Sequence, residues 1–423
     1  MSLGIKVVKG MKDTLPEEMA AWYYVEGKLK SLALAYGYQE IRMPILEQTE
    51  LFKRAIGEIT DIVEKEMYTF TDKGGESLTL RPEGTAQSVR LVLENSLLRN
   101  QSQRLWYQGP MFRRENPQKG RYRQFYQFGL EAYGLPGPDV DVEQILIMAR
   151  LWKELGLSDK IALQLNSLGT LPERAQYREA LIQYFQGCAL DEDSQRRLHT
   201  NPMRILDSKH PMMQESIQKA PNLLEFLGKD SLAHFETLQS MLKSHGVAFE
   251  VNPRIVRGLD YYTHTVYEWV TSHLGSQGTV CAGGRYNELV SLMGGPATPA
   301  VGFALGMERL LMLLIDNQLI PAQRFVDVYV VGDGEVAQAK AFLLAETLRS
   351  ALPTLRVLTN CGGGSFKSQF KRADKSGALF ALILGANELE NNTVSIKALR
   401  EEMPQASKNI EETIDFLRQK LSL

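Results

Sequence analysis

Cysteine is scarce in this chain: Cys188, Cys281 and Cys361 stand far apart among 423 residues. Three scattered thiols exclude a disulfide framework and a cysteine-based zinc site, and they fit a reducing cytoplasm. The six histidines form no metal-ligand motif. Long apolar runs are missing too. The greasiest, residues 310–315, is far too short to span a bilayer, so no membrane partner is expected. The opening MSLGIKVVKG has no apolar signal core, which argues against secretion. No charge sign dominates. The formal net charge is -2, so a nucleic-acid surface would have to be local. Tandem repeats and low-complexity tracts are absent. What remains, 44% hydrophobic and 23% charged, is a globular composition, and the length exceeds one ordinary core.

The most informative stretch covers residues 104–133. It reads as two strands joined by a polar loop, 114–123, in which Arg114, Lys119, Arg121 and Arg123 face the single acid Glu115. Period-two alternation in the return strand puts Tyr126, Phe128, Leu130 and Ala132 on one face. The other face carries Phe125, Gln127, Gly129 and Glu131. A ring, an amide, a gap and a carboxylate make a poor core. They suit the floor of a pocket for something flat and polar, with Gly129 admitting close approach. A solvated sheet face is the competing reading.

Elsewhere, Pro16, Glu17 and Glu18 start a helix, followed by a strand over 38–43 that ends at Pro44. A hairpin over 67–81 delivers RPEGTAQ, in which Glu83 and Thr85 open a helix. They serve there either as a cap or as receivers of an ammonium group. Residues 171–245 turn helical and irregular, as an inserted module. Its Arg196, Arg197, Arg204, Lys209 and His210 either meet nucleic acid or form a solvated face. In RGLDYYTHTVYEWV, residues 257–270, strand alternation sets Gly258, Asp260, Tyr262 and His264 against Leu259, Tyr261, Thr263 and Thr265. The glycines of GGRYNEL, residues 283–289, suggest a tight turn. In VGFALGMERL, Arg309 occupies the first turn of a helix, where it opposes the helix dipole by roughly 0.3–1 kcal/mol. A bound anion would neutralise it; a structural ion pair is the alternative. From Arg324 onward strands alternate with helices, which indicates an α/β unit with a mixed sheet. There Lys367, Lys371 and Lys375 form one basic stripe after three glycines.

Taken in order, RPEGTAQ, QFYQFGLEAYG, RGLDYYTHTVYE and GFALGMERL resemble the histidyl-tRNA synthetase family of bacterial type, within the second class of aminoacyl-tRNA synthetases. The resemblance covers nearly the whole chain. It implies an α+β fold. Residues 1–323 would form a catalytic domain on an antiparallel sheet, with a helical insertion at about 171–245. Residues 324–423 would form an anticodon-binding domain. It implies a cytoplasmic homodimer whose partners are ATP with Mg2+, L-histidine and tRNA(His). It further implies Arg113, Arg257 and Arg309 as catalytic cations on the phosphates, with Phe125 stacked on adenine. Glu83, Thr85 and Gln127 would receive the amino group. Glu131 and Tyr262 would address the imidazole, in a pocket shaped by Tyr261 and Tyr286. Asn116 stands where many relatives carry arginine, in the loop expected to meet the tRNA acceptor end, and His264 also departs from the pattern. Two rivals are a non-catalytic regulatory subunit of ATP phosphoribosyltransferase and a stand-alone RNA-binding or nutrient-sensing module.

Overall fold

The computed structural model describes residues 4–57, 60–208, 210–255, 257–275, 278–322 and 324–422. Lys209 and the boundary residue Gln323 therefore lie outside the described residues. Two compact units are present, Met1–Pro321 and Ala322–Leu423.

The first unit is built on eleven strands. In chain order they are β1 (Gln39–Glu40), β2 (Leu46–Gln48), β3 (Tyr68–Thr71), β4 (Ser77–Leu80), β5 (Gln103–Phe112), β6 (Gln124–Tyr133), β7 (Ala162–Ser167), β8 (Glu250–Val251), β9 (Thr263–Val270), β10 (Thr279–Arg285) and β11 (Ala300–Gly306). Eight of them form one sheet in the order β1-β5-β6-β11-β10-β9-β7-β8. Its pairs are antiparallel except β1 with β5 and β7 with β8 at the two edges. Strands β2, β4 and β3 make a separate small sheet.

Alternation along β6 decides what each face of the large sheet does. Phe128, Leu130 and Ala132 are buried in a core with helices Pro16–Ala35, Asp139–Glu154, Lys229–Ser244 and Met307–Asp316. Helices thus cover one face, and the intervening β6 residues face the other. A second core joins helices Thr49–Ile56, Thr85–Glu94 and Leu171–Gln186, which ties the inserted module to the sheet.

The sequence misplaced three elements. The strand expected over 38–43 shrinks to Gln39–Glu40, a short parallel edge beside β5. Residues 257–262 form a loop, so the alternation assigned to them does not hold; β9 starts only at Thr263. Gly283 and Gly284 lie inside β10 rather than in a turn, and pair with both β9 and β11.

In the second unit β12 (Val328–Gly332), β13 (Val357–Thr359), β14 (Phe380–Leu384), β15 (Val394–Ala398) and β16 (Ala406–Lys408) order as β13-β12-β14-β15-β16. The first three run parallel and the last two pairings are antiparallel, a mixed sheet. Val330, Leu348, Leu382, Ile396 and Leu417 fill its own core. Strand β16 and the short helix Ala386–Asn391 carry too little periodicity to be read from sequence.

Candidate active site

Register places one row of residues across five strands: Tyr107, Gly129, Ala304, Ala282 and Glu268. Directly paired residues share a sheet face. The small side chains of Ala304 and Ala282 leave a hollow beside Glu268, while Tyr107 lies over Gly129. A cleft of about 590 Å³ opens above it.

Arg113, Arg257 and Arg309 all line this cleft, although they are far apart in the chain. Arg121 joins them. Each is held. Arg113 donates Nε to the Pro82 carbonyl at 2.8 Å and lies 5.4 Å from the centre of the Phe125 ring. Arg257 pairs with Glu268 and sits 5.3 Å from the centre of the Tyr262 ring. Arg309 donates Nη1 to the Thr279 carbonyl at 2.6 Å. Burial, followed by the like charges of Arg121 and Arg113, pushes the Arg309 guanidinium down to about 10. Burial also lowers Arg113, against the pull of Glu66 and Glu83. Burial opposes the charge on Arg257 as well, but Glu268 together with Tyr262 and Tyr261 more than offsets it and raises that guanidinium. Arg121 and Arg113 both act to lower Arg309, and cations set this close suit a polyanion.

The opposite wall is neutral or acidic. Glu83 accepts from the backbone N–H of Thr85 at 2.6 Å and of Ala86 at 2.8 Å, so it caps the helix Thr85–Glu94 while facing the cleft. Burial raises its carboxyl, and those two N–H groups offset part of the rise. The Thr85 hydroxyl donates to Glu131 Oε1 at 2.9 Å, which leaves its oxygen available as an acceptor. Gln127 lines the cleft, and its carbonyl Oε1 is buried with no hydrogen-bond partner among the described residues. An acceptor of this kind beside a cleft is open to a donor on a bound molecule. Phe125, Tyr261 and Tyr262 complete the wall; the two phenol rings lie 4.7 Å apart.

Glu131 and Tyr286 are not in the wall. Glu131 is fully buried beneath it and accepts from Thr85, from Tyr107 at 3.0 Å and from Tyr286. Burial pushes its carboxyl up to about 8, against the lowering effect of those three hydroxyls. Gly129 does not admit a ligand directly. Its missing side chain is filled by Tyr107: a Cβ at Gly129 would lie 2.4 Å from that ring, and one at Gly84 would lie 2.2 Å from it. Tyr107 is therefore slotted between two glycines with its hydroxyl on Glu131.

Sequence reasoning missed Tyr107, Glu268 and Glu308. A lone acid in the apolar run VYEWV was the available signal for Glu268. Nothing local marks Tyr107, whose role depends on Gly84 and Gly129. Glu308 accepts from the Tyr126 N–H at 2.9 Å, and burial pushes it up to about 7. His264 lies outside the cleft lining. It takes a φ of 46° at the start of β9 and packs 5.5 Å from His234.

The histidyl-tRNA synthetase family model matches residues 10–310, and the anticodon binding domain model matches residues 326–420. A crystal structure of apo histidyl-tRNA synthetase from S. aureus is 36% identical, with a TM-score of 0.81, covering 97% of this chain and 99% of that one. Two more distant structures share the fold. Histidyl-tRNA synthetase from Nostoc sp. is 20% identical with a TM-score of 0.72, over 98% of this chain and 99% of that one. An ATP phosphoribosyltransferase regulatory subunit/histidyl-tRNA synthetase from Bacillus halodurans is 23% identical with a TM-score of 0.65, over 91% and 99%. With matched models over both units and this identity along almost its whole length, the chain belongs to the histidyl-tRNA synthetase family of aminoacyl-tRNA ligases.

Proposed function

We propose that the chain joins L-histidine to the 3′ end of tRNA(His) in two steps, in the cytoplasm. First, a histidine carboxylate oxygen attacks the α-phosphorus of ATP; the bond to the β-phosphate oxygen breaks and pyrophosphate leaves. Second, a hydroxyl of the terminal ribose attacks the carbonyl carbon of the adenylate and AMP leaves. Neither step needs a covalent enzyme intermediate. Both need reactants held in line and charge neutralised at phosphorus. Arg113 and Arg257 would meet the α-phosphate and Arg309 the γ-phosphate. Adenine would stack on Phe125, whose ring already packs against Arg113. Magnesium enters with ATP as part of the substrate. Among the described residues no group of three or more metal-ligating side chains exists, so phosphates and water would supply most of its coordination.

The observation that carries this reading is the pairing of a polycationic wall with Gln127 Oε1, a buried acceptor without a partner. The amino group of histidine would give its N–H donors to Gln127, Glu83 and Thr85. Its imidazole would lie against Tyr261 and Tyr262 and reach Glu131. Glu131 accepts from three neighbouring hydroxyls, and the proton it keeps up to about pH 8 would be its donor to a ring nitrogen. Groups buried to match both ring nitrogens would reject non-histidine ligands by roughly 10⁴–10⁵-fold, so no editing step is called for.

A homodimer is part of the proposal. Tyr23 and Leu34 on helix Pro16–Ala35, with Ile45 and Leu46 near the β1 edge, expose apolar surface of the kind interfaces cover. The Bacillus halodurans neighbour raises the regulatory-subunit reading, which has no need of ATP and histidine sites joined in one cleft. Charging of tRNA(His) with labelled histidine tests the choice. Charging supports the ligase, whereas histidine binding without charging, together with stimulation of an ATP phosphoribosyltransferase, supports the regulator.

A further inference from the structure

The three cationic side chains of the cleft are not anchored alike. Arg113 and Arg309 donate to carbonyls of Pro82 and Thr279, which the backbone fixes. Arg257 leans on side chains instead, the Glu268 carboxylate and the Tyr262 ring. Its Nε is buried with no hydrogen-bond partner among the described residues. Where Arg257 points therefore depends on where Glu268 points. Glu268 Oε1 takes Arg257, and Oε2 accepts from the Thr279 hydroxyl at 2.9 Å. Thr279 is thus tied to two of the cations, to Arg257 through Glu268 and to Arg309 through its own carbonyl.

An irregularity in β10 is what brings Thr279 to the cleft. Thr279 pairs with Val270 and Cys281 with Trp269, so β10 advances two residues while β9 advances one. Val280 is the extra residue of a β-bulge. Paired residues share a face, and the face alternates along β9. Cys281 follows Trp269 into the helix-covered core. In a regular ladder Thr279, two residues before Cys281, would enter that core as well, away from Glu268. The bulge turns it to the cleft side with Val270 and Glu268. Val280 and Cys281, although consecutive, are accordingly buried in the same core. We propose that Thr279 is a positioning residue for adenylate formation: its hydroxyl fixes Glu268, which in turn aims Arg257 at the α-phosphate. The proposal rests on the two-step reading, in which Arg257 meets the charge that develops at phosphorus.

The test uses the full-length protein with Thr279→Val and Thr279→Ser, alone and combined with Arg257→Ala, in histidine-dependent ATP–pyrophosphate exchange. Valine keeps the branched shape and removes the hydroxyl; serine keeps the hydroxyl. Thr279→Val should lower kcat about tenfold, the worth of a hydrogen bond to a charged group, and leave the KM for histidine within about twofold of wild type. Thr279→Ser should recover most of the rate. Added to Arg257→Ala, Thr279→Val should cost less than about twofold more, because its route to the reaction is already gone. Full additivity of the two changes would overturn the proposal, since the hydroxyl would then act elsewhere. So would a raised KM for ATP at unchanged kcat, which would make Thr279 a direct ATP contact. A lowered thermal midpoint with unaltered kinetics would also overturn it and leave Thr279 a structural residue. If wild type exchanges and Thr279→Val matches it, this proposal alone fails. If wild type shows no exchange, the two-step reading fails and this proposal falls with it.

Discussion

Glu131 concentrates the chemistry of the pocket in one carboxyl group. Burial raises it from 4.5 to about 8 in the folded chain, so the folded state binds a proton that the unfolded chain has already released. Its contribution to stability is complete below about pH 4.5 and is lost as pH rises through about 8. Glu131→Gln removes that titration. The thermal midpoint of wild type should therefore fall relative to Glu131→Gln between pH 5 and 9, and parallel curves would contradict the buried placement. The same variant should weaken histidine binding while leaving ATP binding near its wild-type value, read by calorimetry with each ligand alone. Tyr107 acts through Glu131. Tyr107→Phe should raise the KM for histidine by roughly tenfold, the worth of about one buried hydrogen bond, with a smaller change in kcat. Equal losses in kcat and in the KM for ATP would remove Tyr107 from this role. Period-two alternation made Phe125, Gln127 and Glu131 legible because they sit inside a regular strand. Tyr107 was not legible, since its slot is made by glycines 23 positions before and 22 after it in the sequence.

At the level of elements, the pocket depends on how β10 is fastened. Arg285 at its end is fully buried and gives Nε to Asp141 Oδ2 at 2.9 Å, in the first turn of helix Asp139–Glu154. It also donates to the carbonyls of Leu135 and Gly137. This locks the strand end that presents Tyr286 to Glu131. Arg285→Met leaves the buried Asp141 charge without its arginine, with, among the described residues, only His234 at 3.9 Å, and should cost about 3–5 kcal/mol in denaturant unfolding. Arg285→Met with Asp141→Leu should recover much of that loss; a double variant no better than the single would contradict the ion-pair account. The elements that sequence patterning placed well are those with a clear period: β6, the helix Asp139–Glu154 and the strand-to-helix run that carries Arg309. It failed at 257–262, where a dense row of phenols imitates strand alternation. There Tyr261 and Tyr262 pack against each other with tilted rings in a loop instead of alternating between two faces.

For the molecule as a whole, the two compact units have separate hydrophobic cores, so chemistry and RNA reading are expected to separate as well. A chain ending at Pro321 should fold, keep histidine-dependent exchange and lose most tRNA charging. Full charging by that fragment would contradict an anticodon role for the second unit. The order of motifs along the chain made this architecture readable, whereas the row that runs from Tyr107 to Glu268 across five strands required coordinates. The central claim is that Arg113, Arg257 and Arg309 act on one triphosphate beside a histidine pocket. Histidine-dependent exchange of labelled pyrophosphate into ATP, in wild type and Arg257→Ala, tests it most directly. The account predicts exchange that requires histidine and falls about 10²–10³-fold in the variant. Exchange that is absent in wild type, or unchanged in Arg257→Ala, would contradict it.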